Sequence, residues 1–269
     1  MTLTSTLRRV NRHLRDHGFR ATAGEIASYS RRTASAYLEG MPGHYRVRYR
    51  LLCRQYDPAA ITPVWVDPDR IETLSGGYER RDRGHLDYVP QFKPREAGWD
   101  YLPFEESVPY GTLKGDDWDI RHAPFDRLIM YRGVRTRFVE DVPWEETDYY
   151  QELITMFEQQ GFPPADSSAR ASARCEKLDS LATTLREQGY QSQRALNGHP
   201  LHEVTVNISR DGSLAYNCEG RHRLCLAKVL GIERIPVLVL VRHTDAPEPS
   251  LAGDDADTQS HGHSLSLDQ

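Results

Sequence analysis

The sequence predicts an α+β fold, and three observations carry that expectation. Residues 204–208 alternate Val204, Val206 and Ile208 with polar neighbours, Asp211-Gly212 supplies turn residues, and 213–216 resumes the extended pattern, as a hairpin does. The β-branched run at 235–241 reads as a strand buried on both faces. Between and before these strands lie helical stretches, 221–230 closed by Gly231, and 174–188 with Leu178, Leu181 and Leu185 on one face and Gly189 as a stop. The composition agrees: 269 residues with 38% hydrophobic and 27% charged side chains are globular, enough for one large domain or two small ones.

The remaining elements follow in chain order. Leu3, Leu7, Val10 and Leu14 recur at steps of three and four beside Arg8, Arg9, Arg12 and Arg15, which predicts a basic amphipathic helix over 3–17. A second helix is expected over 22–39, ended by Gly40-Met41-Pro42-Gly43, and 44–50 alternates like an exposed strand. Residues 57–144 are rich in Pro, Gly, Asp and aromatics and read as loops and short strands, with a strand or helix at 128–131. From Trp144 the pattern turns helical over 148–160, with Thr147-Asp148 as the cap and Gly161-Phe162-Pro163-Pro164 as the stop. Beyond His243 the chain loses its hydrophobic clusters, and a disordered acidic tail is expected over 244–269.

Several classes are set aside. The longest apolar run, 235–241, is far short of the roughly 20 residues of a spanning helix. The N-terminus turns basic without an apolar core, unlike a secretory signal, so a cytoplasmic location is expected. Cys53, Cys175, Cys218 and Cys225 lack C-x-x-C spacing, and reduced thiols are the default. Charge is uneven: residues 8–54 hold eleven arginines against three carboxylates, while 245–269 has no Lys or Arg. The ordinary reading of the basic helix is a docked stripe with solvated arginines. Its alternative is peripheral attachment of 3–17 to an anionic membrane surface. Nucleic acid is a weaker expectation, because a charge cluster without a recognised pattern implies only non-specific affinity.

The segment Tyr216-Asn217-Cys218-Glu219-Gly220-Arg221-His222-Arg223 lies where a strand feeds a helix N-terminus. That geometry aims free backbone N–H groups and the positive helix end at one place, which suits a phosphate. Gly220 allows close approach, and Arg221, His222 and Arg223 add donors, with Asn217 beside them. Positions two apart on a helix point about 200° from each other, so Arg221 and Arg223 do not serve one phosphate together unless Arg221 lies in the turn. The ordinary reading of this box is a helix start with solvated charges. Asp116, Asp117 and Asp119 read first as a polar loop or cap; the alternative is that one carboxylate holds Mg²⁺ or acts as general base. Glu219 competes for the base role, and Lys114 is placed to neutralise phosphate charge.

Over about 177–242 the chain resembles the ParB/sulfiredoxin-like superfamily. The likeness runs in order through Leu181, Leu185 and Gly189, the strand 204–208, Arg210-Asp211-Gly212, then Glu219-Gly220-Arg221-His222-Arg223-Leu224 with Ala227-Lys228, and Gly231-Ile232-Glu233-Arg234-Ile235-Pro236-Val237. The resemblance implies a compact core at 177–243; the pattern along the rest of the chain separates a basic helical segment at 1–56 and a mixed loop-rich region at 57–176 packed on that core. It implies that the Glu219 to Arg223 box holds the phosphates of ATP, ADP or CTP. Two branches fit poorly: where a sulfiredoxin has its catalytic cysteine this chain has Arg221, and no helix-turn-helix pattern follows as in a partition protein. The expectation is therefore a nucleotide-dependent, kinase-like phosphotransferase acting on a hydroxyl of a small molecule or glycolipid. Glu219, Asp119 and Asp117 are the catalytic candidates, Asp117 and Asp119 the Mg²⁺ ligands, and Gly220, Arg221, His222, Arg223, Asn217 and Lys114 the nucleotide contacts. The alternatives are a CTP- or ATP-binding switch associated with DNA or a membrane, or a non-catalytic relative.

Overall fold

The computed structural model describes residues 41–80, 86–95 and 106–247. The helices expected over 3–17 and 22–39, and the tail beyond 247, lie outside the described residues. Within them a mixed sheet separates two unlike layers. Its order is β1 (Val64–Val66), β11 (Ile235–His243), β9 (Val204–Ile208), β10 (Leu214–Cys218), β2 (Ile71–Leu74), β8 (Ala123–Pro124), with β7 (Thr112–Lys114) also on β11. β9 and β10 form the expected antiparallel hairpin, and β11 lies parallel to β9 with Val237 opposite Val204 and Val239 opposite Val206. Two small ladders, β3 (Gly76–Arg80) with β4 (Leu86–Pro90) and β5 (Phe92–Pro94) with β6 (Glu106–Val108), complete the strands.

One face is covered by helices α2 (Ile129–Val139), α3 (Asp148–Gln159), α4 (Pro164–Gln188) and α5 (Arg221–Leu230). Strand alternation sends Val204, Val206, Ile208, Tyr216, Ile235 and Val237 into that core, with Leu178, Leu185 and Leu224 facing them. The other face takes Leu238 and Leu240 and is closed by Phe92, Tyr110, Trp118, Leu201 and the helix α1 (His44–Leu52). Buried polar side chains on this second face tie the loop-rich layer to the sheet. Asn207 Nδ2 donates to Ser75 Oγ at 2.6 Å, its Oδ1 accepts from the Val241 N–H at 3.1 Å, and Tyr110 shares a hydrogen bond with Thr205. Unpaired, such groups would each cost on the order of 1–3 kcal/mol.

Three expectations change. Residues 44–52 are helix, not strand: the aromatic–arginine alternation also puts Tyr45 over Tyr49 at 5.9 Å, and His44 and Leu52 two turns apart on the buried side. The helix expected from 174 begins at Pro164, crossing residue 177 without a break, because Ser167 and Ala171 continue the buried stripe with side chains too small to read as hydrophobic. Residues 244–247, assigned to the tail, are held against the sheet by Thr244 N to Lys114 O at 3.1 Å and by Arg242 Nη2, which donates to the carbonyls of Ala246 and Pro247 at 3.0 and 2.6 Å. As expected, Thr147 caps α3 through Tyr150 N, and all four cysteines are free.

Candidate functional site

The strand-to-helix turn between β10 and α5 is built by two successive left-handed residues, Glu219 at φ 52° and Gly220 at φ 60°. Only glycine fits the second position. A Cβ there would stand 2.7 Å from Val204 Cγ2 and 3.0 Å from Val204 Cα, so the turn lies directly on the start of β9. Leu224 N is the first amide after the turn to bond back, to Gly220 O at 2.9 Å, so Arg221, His222 and Arg223 start the helix with N–H groups that α5 does not use.

Beside this turn opens a cleft of about 320 Å³ lined by Gly220 of the turn, by His222 and Arg223 from α5 and by Arg174, Lys177, Leu178 and Leu181 from α4. The α4 residues are spaced three and four apart, hence on one helical face. They bring two exposed cations to the helix N-terminus with leucines beneath them. His222 has a buried Nε2 without a hydrogen-bond partner, and burial, with Arg174 and Arg221 nearby, lowers its pKa to about 3. The imidazole is therefore neutral near pH 7. Glu219, next to Gly220 in the turn but not among the lining residues, is raised to about 7 by burial, against the opposing pull of Arg223.

Arg223 lines the cleft, but its guanidinium is turned toward the loop 190–203. It donates to His202 O, stands 3.5 Å from Glu203 and lies 5.4 Å from the Tyr190 ring. With the Gln193 amide oxygen facing it, both Nη groups reach that oxygen at 3.0 Å. Glu203 is 1% exposed, accepts the Gln193 N–H at 2.5 Å and is raised to about 7 by burial. Arg223 is thus a latch for the loop as much as a lining residue of the cleft.

The other candidates are elsewhere. Asn217 is fully buried and holds the Phe92 backbone, donating to Phe92 O at 2.8 Å, so it does not face a ligand. Arg221 is not part of the cleft lining; its charge acts on Tyr149, Tyr216 and Cys225, toward the helical layer. Lys114 pairs with Glu106 at 2.9 Å and lies on β7 beside His243. Asp117 and Asp119 are gripped by Arg210: its Nη2 reaches an oxygen of each at 2.7 Å, and its backbone N–H donates to Asp119 at 2.7 Å. Arg210 follows the far end of β9. Five strand residues at about 3.3 Å each set the two ends on the order of 15 Å apart. Asp117 and Asp119 therefore do not reach the cleft, Arg210 occupies both oxygens of Asp119 and one of Asp117, and among the described residues no group of three or more His, Cys, Asp or Glu side chains converges to hold a metal.

The acid–arginine cluster was invisible because its partners are 91 and 93 residues apart in sequence. Arg174 and Lys177 were missed although a signal existed: their spacing with Leu178 and Leu181 marks a basic edge on an apolar stripe. No family model matches the chain, and neither a curated protein nor a solved structure is significantly similar to it.

Proposed function

We propose that the cleft receives the phosphate chain of a nucleoside di- or triphosphate and that the protein transfers a phosphoryl group from it to a hydroxyl. The observation that carries this reading is the meeting of an uncommitted helix N-terminus at Gly220 with Arg174 and Lys177 from a second helix, around the unpartnered imidazole of His222. Backbone N–H groups and fixed cations are the usual phosphate cradle. The element order α4, β9, β10, α5, β11 supports the ParB/sulfiredoxin-like resemblance from which the nucleotide is inferred.

In this reading Glu219 takes the proton of the acceptor hydroxyl, whose oxygen bonds to the terminal phosphorus. The bond from phosphorus to the bridging oxygen breaks, leaving the nucleotide one phosphate shorter. A carboxyl raised to about 7 is matched to that work near neutral pH. Arg174 and Lys177 supply neutralising charge from the protein, and Asp117 and Asp119, at the far end of β9, take no part.

A thermal-shift series with ATP, ADP and CTP, with and without Mg²⁺, tests the site. A ligand at 100 times its Kd stabilises by about 2.7 kcal/mol. Stabilisation by one nucleotide with loss of its terminal phosphate to an added hydroxyl acceptor is the expected result. Binding without phosphate loss would instead make the site a nucleotide switch, and no stabilisation by any of the three would remove the reading.

A further inference from the structure

The exposed side of α1 has a composition that the cleft does not account for. Val47 and Leu51 are 60% and 45% exposed and one turn apart, with Met41 at 53% just before the helix. Beside that apolar ridge run Arg46 and Arg50, also one turn apart and exposed, followed by Arg54. None of these three arginines has an ion-pair partner among the described residues, and residues 41–56 contain no Asp or Glu. The loop 190–203 adds Leu196, 49% exposed, and fixes the helix start through Asn197, whose Oδ1 accepts from Tyr45 N at 3.1 Å and whose Nδ2 donates to Met41 O.

We propose that this face, α1 with the tip of the 190–203 loop, docks on an anionic lipid surface. Adjacent basic and apolar ridges are what a headgroup boundary accepts: guanidinium groups meet phosphates while short apolar side chains enter the acyl edge. A nucleic-acid backbone would use the arginines but leave Met41, Val47, Leu51 and Leu196 in water. No helix among the described residues is long and apolar enough to cross a membrane, so the contact is interfacial. Gln193 and Glu203, which hold Arg223 at the cleft, belong to the same loop as Asn197, so the docked face and the cleft share one loop.

The test is co-sedimentation of the full chain with phosphatidylcholine vesicles and with the same vesicles containing phosphatidylglycerol, residues 3–17 being intact throughout. The parent should bind only the anionic vesicles, and less at higher salt. Arg46→Ser with Arg50→Ser should weaken binding about 25-fold, from roughly fivefold for each basic residue at an anionic bilayer. Val47→Ser with Leu51→Ser should weaken it severalfold. Both pairs are exposed, so thermal unfolding and nucleotide stabilisation should be unchanged, which keeps this proposal separable from that of the cleft. Arg54→Ser, outside the helix, should lose about fivefold and serves should a double variant fail to fold. No binding by the parent, equal binding to neutral vesicles, or variants that bind as the parent would overturn the proposal. Retention on duplex DNA that depends on Arg46 and Arg50, with no vesicle binding, would reassign the face to nucleic acid.

Discussion

Two arginine–carboxylate pairs stand at opposite ends of β9 and behave in opposite ways. At one end Arg210 meets Asp119 with its backbone N–H and side chain at 2.7–3.1 Å. Burial alone would raise the Asp119 pKa, but these hydrogen bonds outweigh it and lower the carboxyl to about 2. At the other end Arg223 stands 3.5 Å from Glu203, one Glu203 oxygen lacks a hydrogen bond, and burial wins, raising the acid to about 7. The same two functional groups thus make a closed clamp in one place and a loose, proton-accepting pair in the other. The loose pair adjoins the cleft through Arg223.

The largest expected difference is in stability. Arg223→Ala leaves Glu203 buried without its counter-charge, a change that typically costs about 3–5 kcal/mol. The loss should be greatest near pH 8 and smaller near pH 5, where Glu203 carries a proton. Urea unfolding at the two pH values checks this, and an equal loss at both would break the comparison. Arg210→Ala, at a clamp whose arginine and Asp117 are exposed although the Asp119 side chain is covered, should destabilise less than Arg223→Ala at pH 8.

The next difference is one of sign. A carboxyl whose folded pKa lies above its unfolded value keeps a proton that the unfolded chain has released. Its contribution is therefore full below about 4.5 and is lost as pH rises toward about 7, with a slope of at most about 1.4 kcal/mol per pH unit. Glu203→Gln should flatten that fall. Asp119 is the reverse: its contribution is present above 3.8 and lost as pH falls toward about 2, so Asp119→Asn should flatten the acid limb and leave the neutral one. His222, lowered to about 3, adds stability as pH rises between 3 and 6.5. The Glu203 slope is therefore best read as the difference between parent and variant.

The turn itself separates a required glycine from a convenient one. Gly220→Ala places a methyl group against the Val204 backbone at a positive φ and should cost about 2–4 kcal/mol. Gly231→Ala at the other end of α5 has a similar φ and open space around it, and should cost about 1 kcal/mol. Thermal melts of the two variants measure the gap.

How far the two regions could be read from the sequence differs for a physical reason. The strand pattern at 204–208 and 235–241 and the helix after Gly220 are local, so alternation and a stop residue reveal them. Glu219 to Arg223 is legible for the same reason. The clamp at Arg210 depends on contact across some ninety residues, and with no periodicity to mark it Asp117 and Asp119 looked available for catalysis. The latch of Arg223 onto Glu203 is likewise tertiary. Residues 44–50 mislead in another way, because tyrosine and arginine alternating by two also satisfy a helix whose buried side is only His44, Tyr45, Tyr49 and Leu52. The first half of α4 hides because its core contacts are Ser167 and Ala171.

The smallest effect on stability tests the central claim most directly. Lys177 is exposed, lines the cleft and has no described ion-pair partner, so Lys177→Ala should melt as the parent does. Isothermal titration of parent and Lys177→Ala with ATP, and with ADP and CTP alongside, should show one nucleotide binding the parent and binding the variant about ten- to a hundredfold more weakly, the worth of one charge-assisted contact. A nucleotide that binds both proteins alike, or none that binds the parent, would contradict the assignment of phosphates to this cleft.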